Sequence, residues 1–127
     1  MTAETRTAPA PQTAFPWRCA YLLVLVALAL ATTRPLATRL SSAVPIGPQP
    51  AATVPLFNVW TVWWNADRVQ HGLARYWHAP IFHPTAGTFA FSEAQPPLML
   101  LAPLTWITSP TTVYNVYLLA SLVLNGW

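Results

Sequence analysis

The first strongly apolar stretch runs from Cys19 to Ala31, CAYLLVLVALALA. Thr32 and Thr33 extend it, and Trp17–Arg18 and Arg34–Pro35 bracket it. A bilayer is crossed by about 20 apolar residues. With the two arginines snorkelling to the interfaces, the run predicts a first transmembrane helix over 16–34. A second apolar run, TTVYNVYLLASLVLNGW, predicts another transmembrane helix over 111–127, cut short at Trp127. Leu98 to Ile107 is apolar but too short to span and is interrupted by Pro103, so it predicts a short interfacial helix, 98–107. Residues 57–78 show helical periodicity. Thr61, Asn65, Arg68, Gly72 and Arg75 form a polar stripe, while Val59, Trp63, Ala66, Leu73 and Trp77 form another face with Trp60 and Trp64 beside it. A helix rich in tryptophan and arginine suits the plane of a membrane interface, rings at headgroup depth and polar stripe toward water.

The remaining stretches read as connections. Residues 1–15 are rich in Thr, Ala and Pro without periodicity, as in a flexible cytoplasmic tail. Residues 34–56 and 78–97 are punctuated by proline and glycine, and TFAF, 88–91, reads as a short extended piece. The pattern as a whole predicts an all-α integral membrane protein fragment: two transmembrane helices joined by a long outer loop, 35–97, that carries interfacial helices. Because LLASLVLNGW is apolar to its last residue, the chain reads as the N-terminal piece of a longer multi-spanning protein, with the remaining transmembrane helices as partners. A cleaved secretory signal with ALA at Ala29–Ala31 is the rival reading. The long segment before it and the second apolar run speak for a retained helix.

Composition sharpens this picture. Hydrophobic residues make up 54% of the chain and charged residues 7%, against roughly 25% charged in an ordinary globular protein. So few charges cover a water-facing surface poorly. The net charge of +3 comes from six arginines without a lysine, scattered along the chain, which excludes a nucleic-acid patch. The lone Cys19 cannot form an internal disulfide. No glycine-rich phosphate loop, G-x-S-x-G, CxxC or H-E-x-x-H occurs.

The scarce polar groups supply the candidate chemistry. Asp67 lies one helical turn from His71 and from Trp63 and Trp64. A carboxylate at a membrane interface is costly unless solvated or paired. It reads either as a catalytic acid or as an ion-pair partner of Arg68 or His71. Glu93, the only acid of the 78–97 loop, reads as a second catalytic candidate or as a helix cap. Arg68 and Arg75 are one heptad apart and would grip a phosphate bidentately from one helix face. Trp64 and Trp77 would stack on sugar or lipid, and His71 and His83 complete the binding candidates. His71, His78 and His83 with Asp67 and Glu93 match no compact metal-ligand spacing, and only Asp67/His71 at i, i+4 is placed to share an ion. Asn115 and Asn125 read as polar groups that hold helices together.

Three segments together resemble the N-terminal portion of integral membrane glycosyltransferases of the C-type fold, and within them the bacterial YfhO-like membrane proteins. They are ATVPLFNVWTVWWNADR (52–68), APIFHPTAGTFAFSE (79–93) and VYNVYLLASLVLNG (113–126). With the first apolar run they cover most of residues 19–127. The resemblance implies an enzyme of the bacterial cytoplasmic membrane, multi-pass, with loop 35–97 on the outer face. It implies transfer of a sugar from a polyprenyl-phosphate carrier to a cell-envelope acceptor. In that family a carboxylate of the first outer loop serves the acceptor hydroxyl, while arginines, and sometimes a divalent cation, stabilise the leaving phosphate. The family usually carries its acid shortly after the first span. Residues 34–56 contain none, and Gln49 is the nearest polar substitute, so Asp67 and Glu93 are left as the acids. Activity is expected of the longer protein and not of this stretch alone. The alternative is a non-catalytic membrane protein of envelope polysaccharide assembly or transport.

Overall fold

The computed structural model describes residues 15–47 and 53–127. The expected tail lies outside them but for its last residue, as does Gln49. Among the described residues three α-helices form: α1 (Phe15–Thr32), α2 (Thr53–Gln70) and α3 (Pro110–Gly126). Short 3-10 segments lie at Leu36–Thr38 and Thr88–Phe91, and a longer 3-10 helix at Pro96–Trp106.

Local chemistry accounts for the ends of these elements. Past Pro16 in its first turn, where a missing N–H costs nothing, helix α1 carries no breaker until Pro35. Its last carbonyls are occupied by threonine hydroxyls: Thr32 Oγ1 donates to Leu28 O at 2.8 Å and Thr33 Oγ1 to Ala29 O at 2.7 Å. Helix α3 starts at Ser109, whose Oγ accepts from Thr112 N at 3.2 Å, with Pro110 in the first turn where a missing N–H costs nothing. Helix α2 ends in a Schellman motif. Gly72 is left-handed at φ 61°, Leu73 N–H donates to Arg68 O at 2.7 Å, and Gly72 N–H donates to Val69 O at 3.2 Å.

No helix among the described residues is long and apolar enough to cross a membrane. This overturns the expected fold of two transmembrane helices. The 18 residues of α1 rise about 27 Å and the 17 of α3 about 26 Å. The first turn of α1 carries Arg18, and the run of α3 is interrupted by Thr111, Thr112, Asn115, Ser121 and Asn125. The segments expected to span, 16–34 and 111–127, instead form an antiparallel helical pair. The start of α1 meets the end of α3, where Tyr21 OH donates to Gly126 O at 2.7 Å. The helices approach so closely there that a Cβ on Gly126 would come within 2.7 Å of Leu25.

Helix α2 packs on the 3-10 helix Pro96–Trp106 and on α3. Val62, Leu98, Val113 and Tyr114 form one core, flanked by Val44, Val59, Leu101 and Tyr117. Trp64, Tyr76, Ala79, Phe89 and Ala94 form the other, with Trp60, Ile81 and Met99 against it. The first part of the polar stripe expected to face water points inward instead, while Gly72 and Arg75 are exposed. Thr61 and Asn65 are fully buried, whereas Trp63, on the face expected to sink into lipid, is 46% exposed. The helix expected over 57–78 stops at Gln70, because Gly72, Leu73 and Arg75 all take left-handed backbone. Arg68 and Arg75 therefore do not share a helix face. The expected interfacial helix 98–107 falls, but for Ile107, within the 3-10 helix, where Leu98 and Ala102 are buried against protein.

Asn115 joins α3 to the connection after α1. Its Nδ2 donates to Leu40 O at 2.8 Å and to Ala43 O at 2.7 Å. Asn115→Ala should leave both carbonyls without that donor. A loss of about 1–3 kcal/mol in urea unfolding is expected, with faster proteolysis in 36–46.

Candidate functional site

The aromatic residues of α2 organise around Phe89, which is fully buried. Trp60 stacks on Trp64 with centroids 5.9 Å apart at 11°, and Phe57 continues the stack at 5.5 Å from Trp60. Phe89 meets Trp60, Trp64 and Tyr76 edge-on at 6.0, 6.3 and 5.3 Å, the arrangement ring quadrupoles favour. A polar line runs beside them. Tyr76 OH donates to Asn65 Oδ1 at 2.7 Å, Asn65 Nδ2 donates to Ala94 O at 3.0 Å, and Trp64 Nε1 donates to Tyr76 O at 3.0 Å. Burial raises the Tyr76 phenol above its ordinary value of 10.0 by desolvating the phenolate.

Asp67, Arg68, His71 and Trp64 form one closed cluster. Arg68 Nε donates to Asp67 Oδ2 at 2.7 Å, and its Nη2 also pairs with that oxygen. Arg68 Nη1 donates to Ala74 O at 3.0 Å, and the guanidinium carbon sits 4.6 Å from the Trp64 ring centroid. His71 Nδ1–H donates to the backbone oxygen of Asp67 at 2.7 Å and stands 3.6 Å from Asp67 Oδ1. The guanidinium is thus engaged by a carboxylate, a carbonyl and a ring at once. It fastens the left-handed turn to α2, and the indole N–H of Trp64 fastens it a second time. This offsets the backbone cost at Leu73 and Arg75, φ 60° and 54°, of order 1–2 kcal/mol per residue.

The other sequence candidates lie elsewhere. Arg75 and Trp77 meet on one cleft of about 470 Å³, lined also by Leu73, Tyr76, His78, Pro96 and Met99. Glu93 lies on another of about 480 Å³, with Thr53, Val54, Phe57, Phe82, Phe91 and Ser92. His83 is exposed and lines neither cleft. The structure thus groups Asp67, Arg68, His71 and Trp64, groups Arg75 with Trp77, and leaves Glu93 with three phenylalanines. Among the described residues no three of His, Cys, Asp and Glu converge on a point. In the Asp67/His71 pair, Arg68 holds Asp67 Oδ2 and His71 Nδ1 is spent on the Asp67 carbonyl.

The phenylalanine walls escaped the sequence reading. TFAF forms a 3-10 turn and not the expected extended piece, which sends Phe89 inward and leaves Phe91 90% exposed. The available signal was a run of large aromatics, Phe82, Phe89 and Phe91, inside a Pro/Gly-punctuated loop.

The Tyr76 shift carries a pH dependence with a defined sign. Its folded value exceeds its unfolded one, so its contribution to stability is complete below the unfolded value near 10.0 and is lost as pH rises through the folded value. Without lysines to titrate in that range, Tyr76→Phe should flatten the alkaline fall in melting temperature. It should lower neutral-pH stability by about 1 kcal/mol through the lost Asn65 bond. Melting curves of both forms between pH 8 and about 11 check this, the range following from the ordinary tyrosine value.

Compared with family models, with curated proteins and with solved structures, the chain matches none.

Proposed function

We propose that the protein takes part in moving a sugar from a polyprenyl-phosphate carrier to a cell-envelope acceptor, with Glu93 as the acid–base residue. One observation carries this. Glu93 is exposed on a cleft walled by Phe57, Phe82 and Phe91 and has no ionic partner among the described residues, whereas Asp67 is held by Arg68. Sugar rings present apolar faces to aromatic rings and hydroxyls to carboxylates. In this reading the Glu93 carboxylate accepts the proton of an acceptor hydroxyl. The freed oxygen attacks the anomeric carbon. The bond from that carbon to the phosphate oxygen breaks, and the phosphate leaves with the electron pair. Arg75 and Trp77 line the other cleft, which shares no residue with this one, and take no part in the step. Of the residues first proposed for catalysis, Asp67 becomes a positioning group for Arg68 and the turn.

A second reading, a non-catalytic sugar-binding component of polysaccharide assembly, is favoured by the engagement of Asp67, which leaves a single free carboxylate in the two clefts. The two readings part on one substitution. Under the transferase reading, Glu93→Gln lowers transfer from a polyprenyl-phosphate sugar about a hundredfold or more, with binding of a soluble glycan changed much less. Under the assembly reading wild-type protein shows no transfer, and Phe91→Ala weakens glycan binding. Wild-type transfer rates in Glu93→Gln remove Glu93 from the chemistry.

A further inference from the structure

Helices α1 and α3 enclose a groove of about 460 Å³ lined by Val26, Ala29, Leu30, Val116, Leu119, Ala120, Val123 and Leu124, with almost no polar surface. At the C-terminal end of α1 a second cleft, about 440 Å³, holds Arg34 and Arg39 beside Thr33, Leu36, Val44 and Ile46. The two follow one another along the chain at the end of α1. Leu30 and Ala29 line the groove, Arg34 and Thr33 the cleft, and Thr33 N–H still donates to Ala29 O at 3.2 Å, which continues the helical hydrogen bonding past the helix end. Asn115 binds Leu40 O and Ala43 O and so draws the Arg39 segment against α3, next to groove residue Val116.

We infer that this composite surface binds an anionic phospholipid, its phosphate at Arg34 and Arg39 and an acyl chain along the α1–α3 groove. The charge pattern selects this occupant. Neither arginine forms a salt bridge among the described residues. The chain carries no acidic residue between Glu4 and Asp67 to neutralise them. Two guanidinium groups without a carboxylate suit a phosphate. An acidic peptide would leave its backbone N–H and C=O groups unsatisfied in so apolar a groove. A lipid with one phosphate and hydrocarbon chains satisfies both halves. The inference does not depend on Glu93 or on sugar transfer.

Vesicle co-sedimentation of the whole chain provides the test. The expected result is binding to phosphatidylcholine vesicles that contain phosphatidylglycerol, with weak binding to phosphatidylcholine alone. Arg34→Gln/Arg39→Gln should lower that binding about tenfold or more. Arg6→Gln/Arg18→Gln, with the same change in net charge, should stay within about twofold of wild type, as expected if local bidentate contacts outweigh bulk charge. Ala120→Phe, at an exposed groove position, should lower binding while keeping the preference for the anionic lipid. Equal losses in the two arginine pairs would overturn the site in favour of bulk charge. Equal binding to neutral and anionic vesicles would overturn the phosphate contact. Full displacement by inorganic phosphate would overturn the acyl-chain half. If the Arg34/Arg39 variant loses its helical circular dichroism, the wild-type vesicle comparison and Ala120→Phe still decide.

Discussion

The structure depends on how the turn after α2 is fastened back onto the helix that precedes it. Gly72, Leu73 and Arg75 adopt left-handed backbone, and two of those three carry a Cβ that resists it. Arg68 and Trp64 hold the turn by donating to the carbonyls of Ala74 and Tyr76. With the chain reversed there, Tyr76 reaches Asn65 and Phe89 comes to rest among Trp60, Trp64 and Tyr76. Both candidate clefts hang on this reversal, since one is lined by residues of the turn and the other by the loop on either side of Phe89.

This arrangement gives the aromatic and ionic residues of 57–77 a role different from the one composition suggested. Tryptophan beside arginine is the signature of a membrane interface, and the same pairing builds a small core when a loop folds over it. The distinguishing fact is the direction of the polar stripe. Thr61 and Asn65 are buried, and Asn65 uses its donor and its acceptor on protein groups. A buried amide satisfied on both sides favours one docking of the loop over its alternatives. Asp67 is similar: its contact with Arg68 joins it to the group that fastens the turn.

The apolar helices α1 and α3 pack on each other and leave much of their leucine and valine surface exposed. Their joint features are a close contact at Gly126, an apolar groove along their length and two arginines at one end. A short apolar helix pair with a cationic end reads differently from a spanning pair. It has the length and charge placement to take up individual amphiphiles.

The sequence by itself marked α1, α3 and the middle of α2 as helical. The unbroken run from Cys19 to Ala31 is a local signal that the pattern carried, whereas the Gly72 stop of α2 and the Ser109–Pro110 start of α3, though local too, were passed over by the expected helices 57–78 and 111–127. It also singled out Glu93 and Arg75 as scarce charges. It did not decide which face of α2 turns inward, because its polar stripe and its aromatic stripe were both chemically able to be buried. Only the tertiary structure resolved that, by supplying Ala94 O and Tyr76 OH as partners for Asn65 from residues far along the chain. The phenylalanine walls around Glu93 and the separation of Arg68 from Arg75 have the same origin. They follow from where a loop returns, and the pattern within a single helix carries no record of that.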